Sequence, residues 1–220
     1  ISYASSAAYA PPEYFINMDE SADIRWSKPC ADLGKYAMVL YDNIVTLFPE
    51  IIDTGVGDIM LDWFDKNAVD PYRSELYYFA KCTKVPLNGL IFINLLYDIF
   101  AACTSIVAQD INGTIIHGRN FDAHLPDLRN MTFVAHFTNN AGDILYDGTA
   151  QIGYVGLWTG YRLNGFTLTG DAREQGSILE NMKSIHDDYW PVGWLIRDTL
   201  SHQQTYNDAL NRLQTEKLMA

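Results

Sequence analysis

The spacing of the apolar residues changes at Cys103, and that change does most to limit how the chain can fold. Before it, apolar positions recur at helical intervals. Leu33, Tyr36, Ala37, Leu40, Ile44 and Leu47 share one face of a stretch over residues 33–48 that stops at Pro49. A second helix is expected through about Met60 to Phe64, and a third after Pro71, with Leu76, Phe79 and Ala80 on one side. The segment from Leu90 to Ala102 is the most apolar of the chain. It is too short to span a bilayer and is interrupted by Asn94 and Asp98, so its plain reading is a buried core helix. After Cys103 the pattern alternates over Thr104–Gln109, Thr114–Gly118, Thr132–Phe137, Ile144–Tyr146, Tyr154–Thr159 and Phe166–Thr169. Short strands separated by Gly and Asn turns, such as Asn139-Asn140-Ala141-Gly142, predict an antiparallel sheet. Helices return at about Ile178–His186 and Val192–Leu200, and a last one begins at Thr205, whose hydroxyl caps it with Asp208 three residues on. No linker, repeat or low-complexity run breaks the 220 residues, which suffice for a sizeable core. The expectation is an α+β layered fold in which a helical segment, residues 1–102, packs on a β-rich segment, residues 103–220.

Two polar motifs flank the first turn of the β-rich segment. Cys103-Thr104-Ser105-Ile106-Val107-Ala108-Gln109-Asp110 precedes Asn112-Gly113, and His117-Gly118-Arg119-Asn120-Phe121-Asp122 follows it. An Asn-Gly pair between alternating runs predicts a hairpin. The thiol of Cys103 would then lie near the guanidinium of Arg119 and the carboxylate of Asp122, an attacking atom beside groups that organise charge. None of the five histidines (His117, His124, His136, His186, His202) has the local signature of a cysteine-protease base, although His117 is the best placed. If the chain is cut between Ala102 and Cys103, the new α-amino group supplies a base with a reference pKa of about 7.7 to 8.0. Plainer readings stand beside these: a small buried cysteine, a structural Arg119–Asp122 ion pair, and a core position for Trp158.

These residues resemble the N-acylethanolamine acid amidase and acid ceramidase family of N-terminal-nucleophile cysteine hydrolases. The likeness extends to Tyr14-Phe15-Ile16-Asn17-Met18-Asp19 with Arg25-Trp26, and to the apolar run Pro86–Phe100. It continues in Gly153-Tyr154-Val155-Gly156-Leu157-Trp158-Thr159-Gly160 and Pro191-Val192-Gly193-Trp194-Leu195-Ile196-Arg197, which look more like the amidase branch, and covers most of residues 11–217. The resemblance implies a four-layer αββα sandwich and self-cleavage at Ala102-Cys103. It implies Cys103 as nucleophile, Arg119 and Asp122 as groups holding the α-amine and the reacting carbonyl, and Trp158 as a candidate wall of an acyl pocket. It implies a fatty-acid amide as substrate, two chains that stay associated, and contact of apolar helices with a membrane surface. Two departures bear on activity. Gly170-Asp171-Ala172-Arg173 lacks the family's glutamate, with Glu174 two positions on from Ala172. The chain ends at Ala220, whereas the family continues to an asparagine of the oxyanion site, a donor worth roughly 2.7 to 4 kcal/mol of barrier. These departures favour a competing reading, an inactive lipid-binding or interaction protein on the same fold.

A formal net charge of −12 argues against a nucleic-acid partner, because no basic patch is available to neutralise phosphates, and it suits work at low pH. The chain begins at Ile1, and Ser5-Ser6-Ala7-Ala8-Tyr9-Ala10 is compatible with the end of a secretory signal. Asn112-Gly113-Thr114 and Asn130-Met131-Thr132 are glycosylation sequons, the first in the expected hairpin turn. Together these point to a lysosomal or secreted protein. Cys30 and Cys82 either form one disulfide in such a compartment or remain two buried thiols. No metal or other cofactor is expected, since no Cys-x-x-Cys or His-Glu-x-x-His occurs and Gly55-Val56-Gly57 lacks the third glycine of a dinucleotide loop.

Overall fold

The structure, a computed structural model, describes residues 10–47, 56–100, 103–122, 128–171 and 189–219. Ala102, Ala172, Glu174, His124, His186 and the helix expected at Ile178–His186 lie outside the described residues. The helical spacing of the first segment is realised in α1 (Ala22–Arg25), α2 (Ser27–Leu47), α3 (Val56–Asn67), α4 (Tyr72–Thr83) and α5 (Leu87–Phe100). Leu33, Ala37, Leu40 and Ile44 of α2 are all buried, as their spacing demands. In α5, Leu90, Ile91, Phe92, Ile93 and Leu95 are buried as well, so this part of the apolar run serves the core. No helix among the described residues is long and apolar enough to cross a membrane. A disulfide joins Cys30 of α2 to Cys82 of α4 with the Cα atoms 6.3 Å apart, which decides between the two readings of that pair.

The strands form two sheets. One is the hairpin of β2 (Cys103–Gln109) and β3 (Ile115–Phe121), paired antiparallel so that Cys103 lies opposite Phe121 and Ser105 opposite Arg119. Its turn is held by the Asp110 carboxylate, which accepts from the amides of Asn112 and Thr114, while Gly113 takes the positive φ of 86° that only glycine adopts readily. The other sheet has five strands in the order β1-β4-β5-β6-β7. It contains β1 (Glu13–Asn17), β4 (Thr132–Thr138), β5 (Ile144–Gln151), β6 (Thr159–Tyr161) and β7 (Thr167–Thr169). The sheet is mixed rather than antiparallel, because β1 comes from the helical segment and pairs parallel with β4.

Tyr154–Thr159, expected as a strand, is instead a buried loop that becomes strand only at Thr159. Alternation fails there because distant groups, not a neighbouring strand, satisfy its backbone. The Asn94 amide donates to the Gly153 carbonyl at 2.8 Å and accepts from the Val155 amide at 2.9 Å. Leu157 N–H reaches the Gly193 carbonyl. The chain closes with α6 (Val192–His202) and α7 (Tyr206–Thr215), the latter capped by Thr205 Oγ1 on the Asp208 amide.

One face of the five-stranded sheet is apolar and meets the helices. Phe133, Ala135 and Phe137 of β4 are buried there, with Trp26 edge-on to both phenylalanines. Glu75 of α4, wholly buried, is gripped by Arg197 of α6 through both guanidinium nitrogens Nη1 and Nη2 and by Arg25 Nη1 at 3.1 Å. The opposite face is hydroxylic: register aligns Thr149, Thr159 and Thr169 across β5, β6 and β7. The hairpin packs on that side through Ser105–Thr169, His117–Thr167 and Arg119–Thr159 contacts. The described layers are thus helices, sheet and hairpin, an α+β fold in the order α, β, β.

Candidate active site

Antiparallel pairing sets Cys103 two residues from Arg119 across the hairpin, with both side chains on the face turned to the hydroxylic sheet. Arg119 Nη2 donates to Cys103 Sγ at 3.0 Å and to the Gly170 carbonyl at 2.7 Å, and Nη1 donates to Thr159 Oγ1 at 2.9 Å. The guanidinium also rides over the Phe121 ring, 4.7 Å from its centroid. Its nearest described carboxylate is Asp171, 3.9 Å from Nε, so the plainer alternative of an Arg119–Asp122 ion pair gives way to an Arg119–Asp171 contact. The Arg119 side chain is only 7% exposed, so its bonds to Cys103, Gly170 and Thr159 are made largely out of water.

Asp122 lies just past β3, exposed, and its carboxylate accepts from the Asn120 amide at 2.9 Å. His117 is two positions from Arg119 on the same strand, but its ring bonds Thr167 Oγ1 at 2.7 Å and lies 3.4 Å from Thr169 Oγ1. It therefore docks the hairpin on β7.

A cavity of about 550 Å³ opens beside these groups. Phe121, Leu128, Trp158 and Leu168 give it apolar wall, while His117, Arg119, Thr159 and Tyr161 give it polar wall. Trp158 is both core and wall: it is 4% exposed and stacks on Tyr154 at 5.8 Å, yet borders the cavity. The hydrogen bond from Tyr161 to Asp147, and then partial burial, push the Tyr161 hydroxyl pKa upward, so this phenol stays protonated. Asn112 and Asn130, the sequon asparagines, are both exposed. Among the described residues no group of three or more His, Cys, Asp or Glu is arranged to hold a metal ion. Sequence reasoning missed Thr159 and Gly170 as partners of Arg119, because they are 40 and 51 residues away and neither carries a motif of its own.

Comparison of the whole sequence with known proteins finds relatives along nearly all of it. N-acylethanolamine-hydrolyzing acid amidase of Oryctolagus cuniculus is 39% identical over 223 residues, covering 96% of this chain and 59% of the relative. The Cavia porcellus enzyme of the same name is 34% identical over 215 residues, covering 96% and 60%. Acid ceramidase of Homo sapiens is 29% identical over 234 residues, covering 96% and 59%. Over nearly its whole length the chain is thus similar to acid amidases and acid ceramidases. It spans about 60% of the length of these curated relatives. No family model matches the chain. Among solved structures, a Caenorhabditis elegans ortholog of the acid amidase aligns over 50% of this chain and 47% of its own, at 36% identity and a TM-score of 0.45. That superposition is too loose to bear on the fold. Among these relatives the higher identities fall on the amidase side, as the Gly153–Gly160 and Pro191–Arg197 runs suggest.

Proposed function

We propose that this chain is the self-processing part of a lipid amidase, cut before Cys103 and then using Cys103 as nucleophile with its own α-amine as base. The observation that carries the reading is the 3.0 Å contact between Arg119 Nη2 and Cys103 Sγ at the start of β2, next to the cavity. In processing, the Cys103 sulfur attacks the Ala102 carbonyl; the S–C bond forms as the C–N bond breaks, and the Cys103 amine is released. Water then hydrolyses the thioester, leaving a carboxylate on Ala102. In turnover the freed α-amine takes the thiol proton, and the sulfur adds to a fatty-acid amide carbonyl. The α-ammonium returns the proton to the departing amine, and water cleaves the acyl thioester. Arg119 holds the sulfur and balances its charge as the proton leaves. Asp122, at the mouth of the hairpin, is assigned to the α-amine, and Trp158 with Leu128 and Phe121 to the acyl chain.

Relatives named for N-acylethanolamine and for ceramide hydrolysis support the substrate class proposed here, fatty-acid amides of amino alcohols. The disulfide and the exposed sequons support an oxidising, glycosylating route to a lysosomal or secreted location. Membrane-surface contact is assigned to exposed apolar side chains of the first segment such as Ile24 and Ile59. The two products would stay together, because β1–β4 pairing, the Glu75–Arg197 pair and the Asn94 bonds all cross the proposed cut.

Intact mass and N-terminal sequencing before and after incubation near pH 4.5, roughly where an unperturbed glutamate titrates, test the reading. A new chain beginning at Cys103 is expected. A folded chain that stays whole would overturn self-processing and favour the lipid-binding alternative, to which the missing glutamate at Ala172 already points.

A further inference from the structure

We propose that Thr159 is the positioning residue that aims Arg119 at the Cys103 sulfur, an assignment that deepens the hydrolase reading of the same site. A guanidinium is a planar fork, and fixing its direction needs anchors on more than one nitrogen. Nη2 is committed twice, to Cys103 Sγ at 3.0 Å and to the Gly170 carbonyl at 2.7 Å. Nε is buried without a hydrogen-bond partner among the described residues, and Asp171 is 3.9 Å away. The remaining corner, Nη1, is held at 2.9 Å by Thr159 Oγ1. Without it the fork pivots about Nη2 and the sulfur loses a well-directed donor.

Thr159 is built to stay still. It sits on β6, paired with Thr149 of β5 on one side and Thr169 of β7 on the other. Its branched Cβ restricts χ1. Its neighbour Thr169 bonds Ser105 Oγ at 2.9 Å, two residues from the nucleophile on the same strand. Valine has the same shape and the same strand preference, so the hydroxyl is the one feature that a core role for this residue leaves unexplained. Thr159 borders the cavity and acts on the sulfur only through Arg119.

The test is the rate at which iodoacetamide alkylates Cys103 in the full chain at pH 6. Cys30 and Cys82 are joined, so Cys103 is the thiol the reagent meets. Thr159→Val is expected to slow alkylation roughly tenfold, the usual scale for losing a hydrogen bond to a charged group. Thr159→Ser is expected to restore most of the rate. In an Arg119→Ala background Thr159→Val should have no further effect, since the two changes remove one interaction. Unchanged alkylation of Thr159→Val, or equal slowing by Thr159→Ser, or an effect that persists without Arg119, would overturn the assignment. Should Thr159→Val melt well below the parent, Thr159→Ala gives the same comparison. Alkylation needs no turnover. A chain that stays uncut in acid therefore sinks the hydrolase reading alone, while the alkylation series decides Thr159.

Discussion

At Cys103 the sulfur meets the Arg119 guanidinium, and that cation is held mostly by neutral oxygen. Thr159 and Gly170 supply that oxygen, and the nearest described carboxylate stands off at 3.9 Å. Loss of the guanidinium is therefore loss of the main local charge. Arg119→Ala is expected to lower the rate of acid processing by about 10²- to 10³-fold, the range for removing one preorganised charge-stabilising donor. Densitometry of the fragments over time reads it. Arg119→Lys should recover little, because an ammonium cannot reach three acceptors in one plane. Cys103→Ala should neither process nor hydrolyse amides, and a Cys103→Ala chain that still yields fragments would remove the thiol from the chemistry. The motifs exposed Cys103 and Arg119 in the sequence because an Asn-Gly turn fixes hairpin register locally. The acceptors around the guanidinium were not legible: they depend on how β6 and β7 stack under the hairpin.

At the scale of elements, close approach is concentrated where α6 crosses the sheet. A methyl group on Gly160 of β6 would lie 2.5 Å from Leu200 Cδ1 of α6 and 2.9 Å from the Asp147 carbonyl oxygen. Gly160→Ala is expected to cost about 1–3 kcal/mol by overpacking, read as a lower denaturation midpoint. The contact of β1 with α2 has a pH signature. Burial first, then the bond to Asp32, push the Tyr14 hydroxyl up to about 12. Because the folded value is raised, its contribution is fully present below the unfolded tyrosine range near ~10 and is lost as pH climbs through about 12. Asp32 moves the other way, lowered by its bond to Lys28 and then by Tyr14. Its contribution is present above the unfolded aspartate range and disappears as acid protonates it. Ultraviolet titration should show one fewer late-ionising tyrosine in Tyr14→Phe than in the parent, with Tyr161 and other raised tyrosines still titrating late. Helices such as α2 were legible from apolar spacing alone. The loop at Tyr154–Trp158 was not, because its hydrogen-bond partner Asn94 sits some sixty residues earlier on α5 and leaves no mark on local alternation.

At the scale of the molecule, the two segments share one buried charge cluster. Glu75 looks in sequence like any acid on a helix, and only the fold places it between Arg197 and Arg25. Glu75→Ala leaves two buried guanidinium groups short of a counter-ion and should destabilise by about 3–5 kcal/mol. After processing, the same variant should release the two fragments from one another in gel filtration under conditions where the parent pair coelutes. The disulfide acts within the first segment: closing 52 residues, it should contribute about 4 kcal/mol by loop entropy. Reducing it should lower the melting point without separating the segments.

Strand β1 has one more consequence. It lies along β4 at the border of the five-stranded sheet, yet it belongs to the part of the chain upstream of Cys103. Residues 103–220 made alone would present the β4 backbone as a bare ladder of amides and carbonyls, a template for any passing strand. The upstream segment thus donates the strand that completes the downstream one's sheet along this edge.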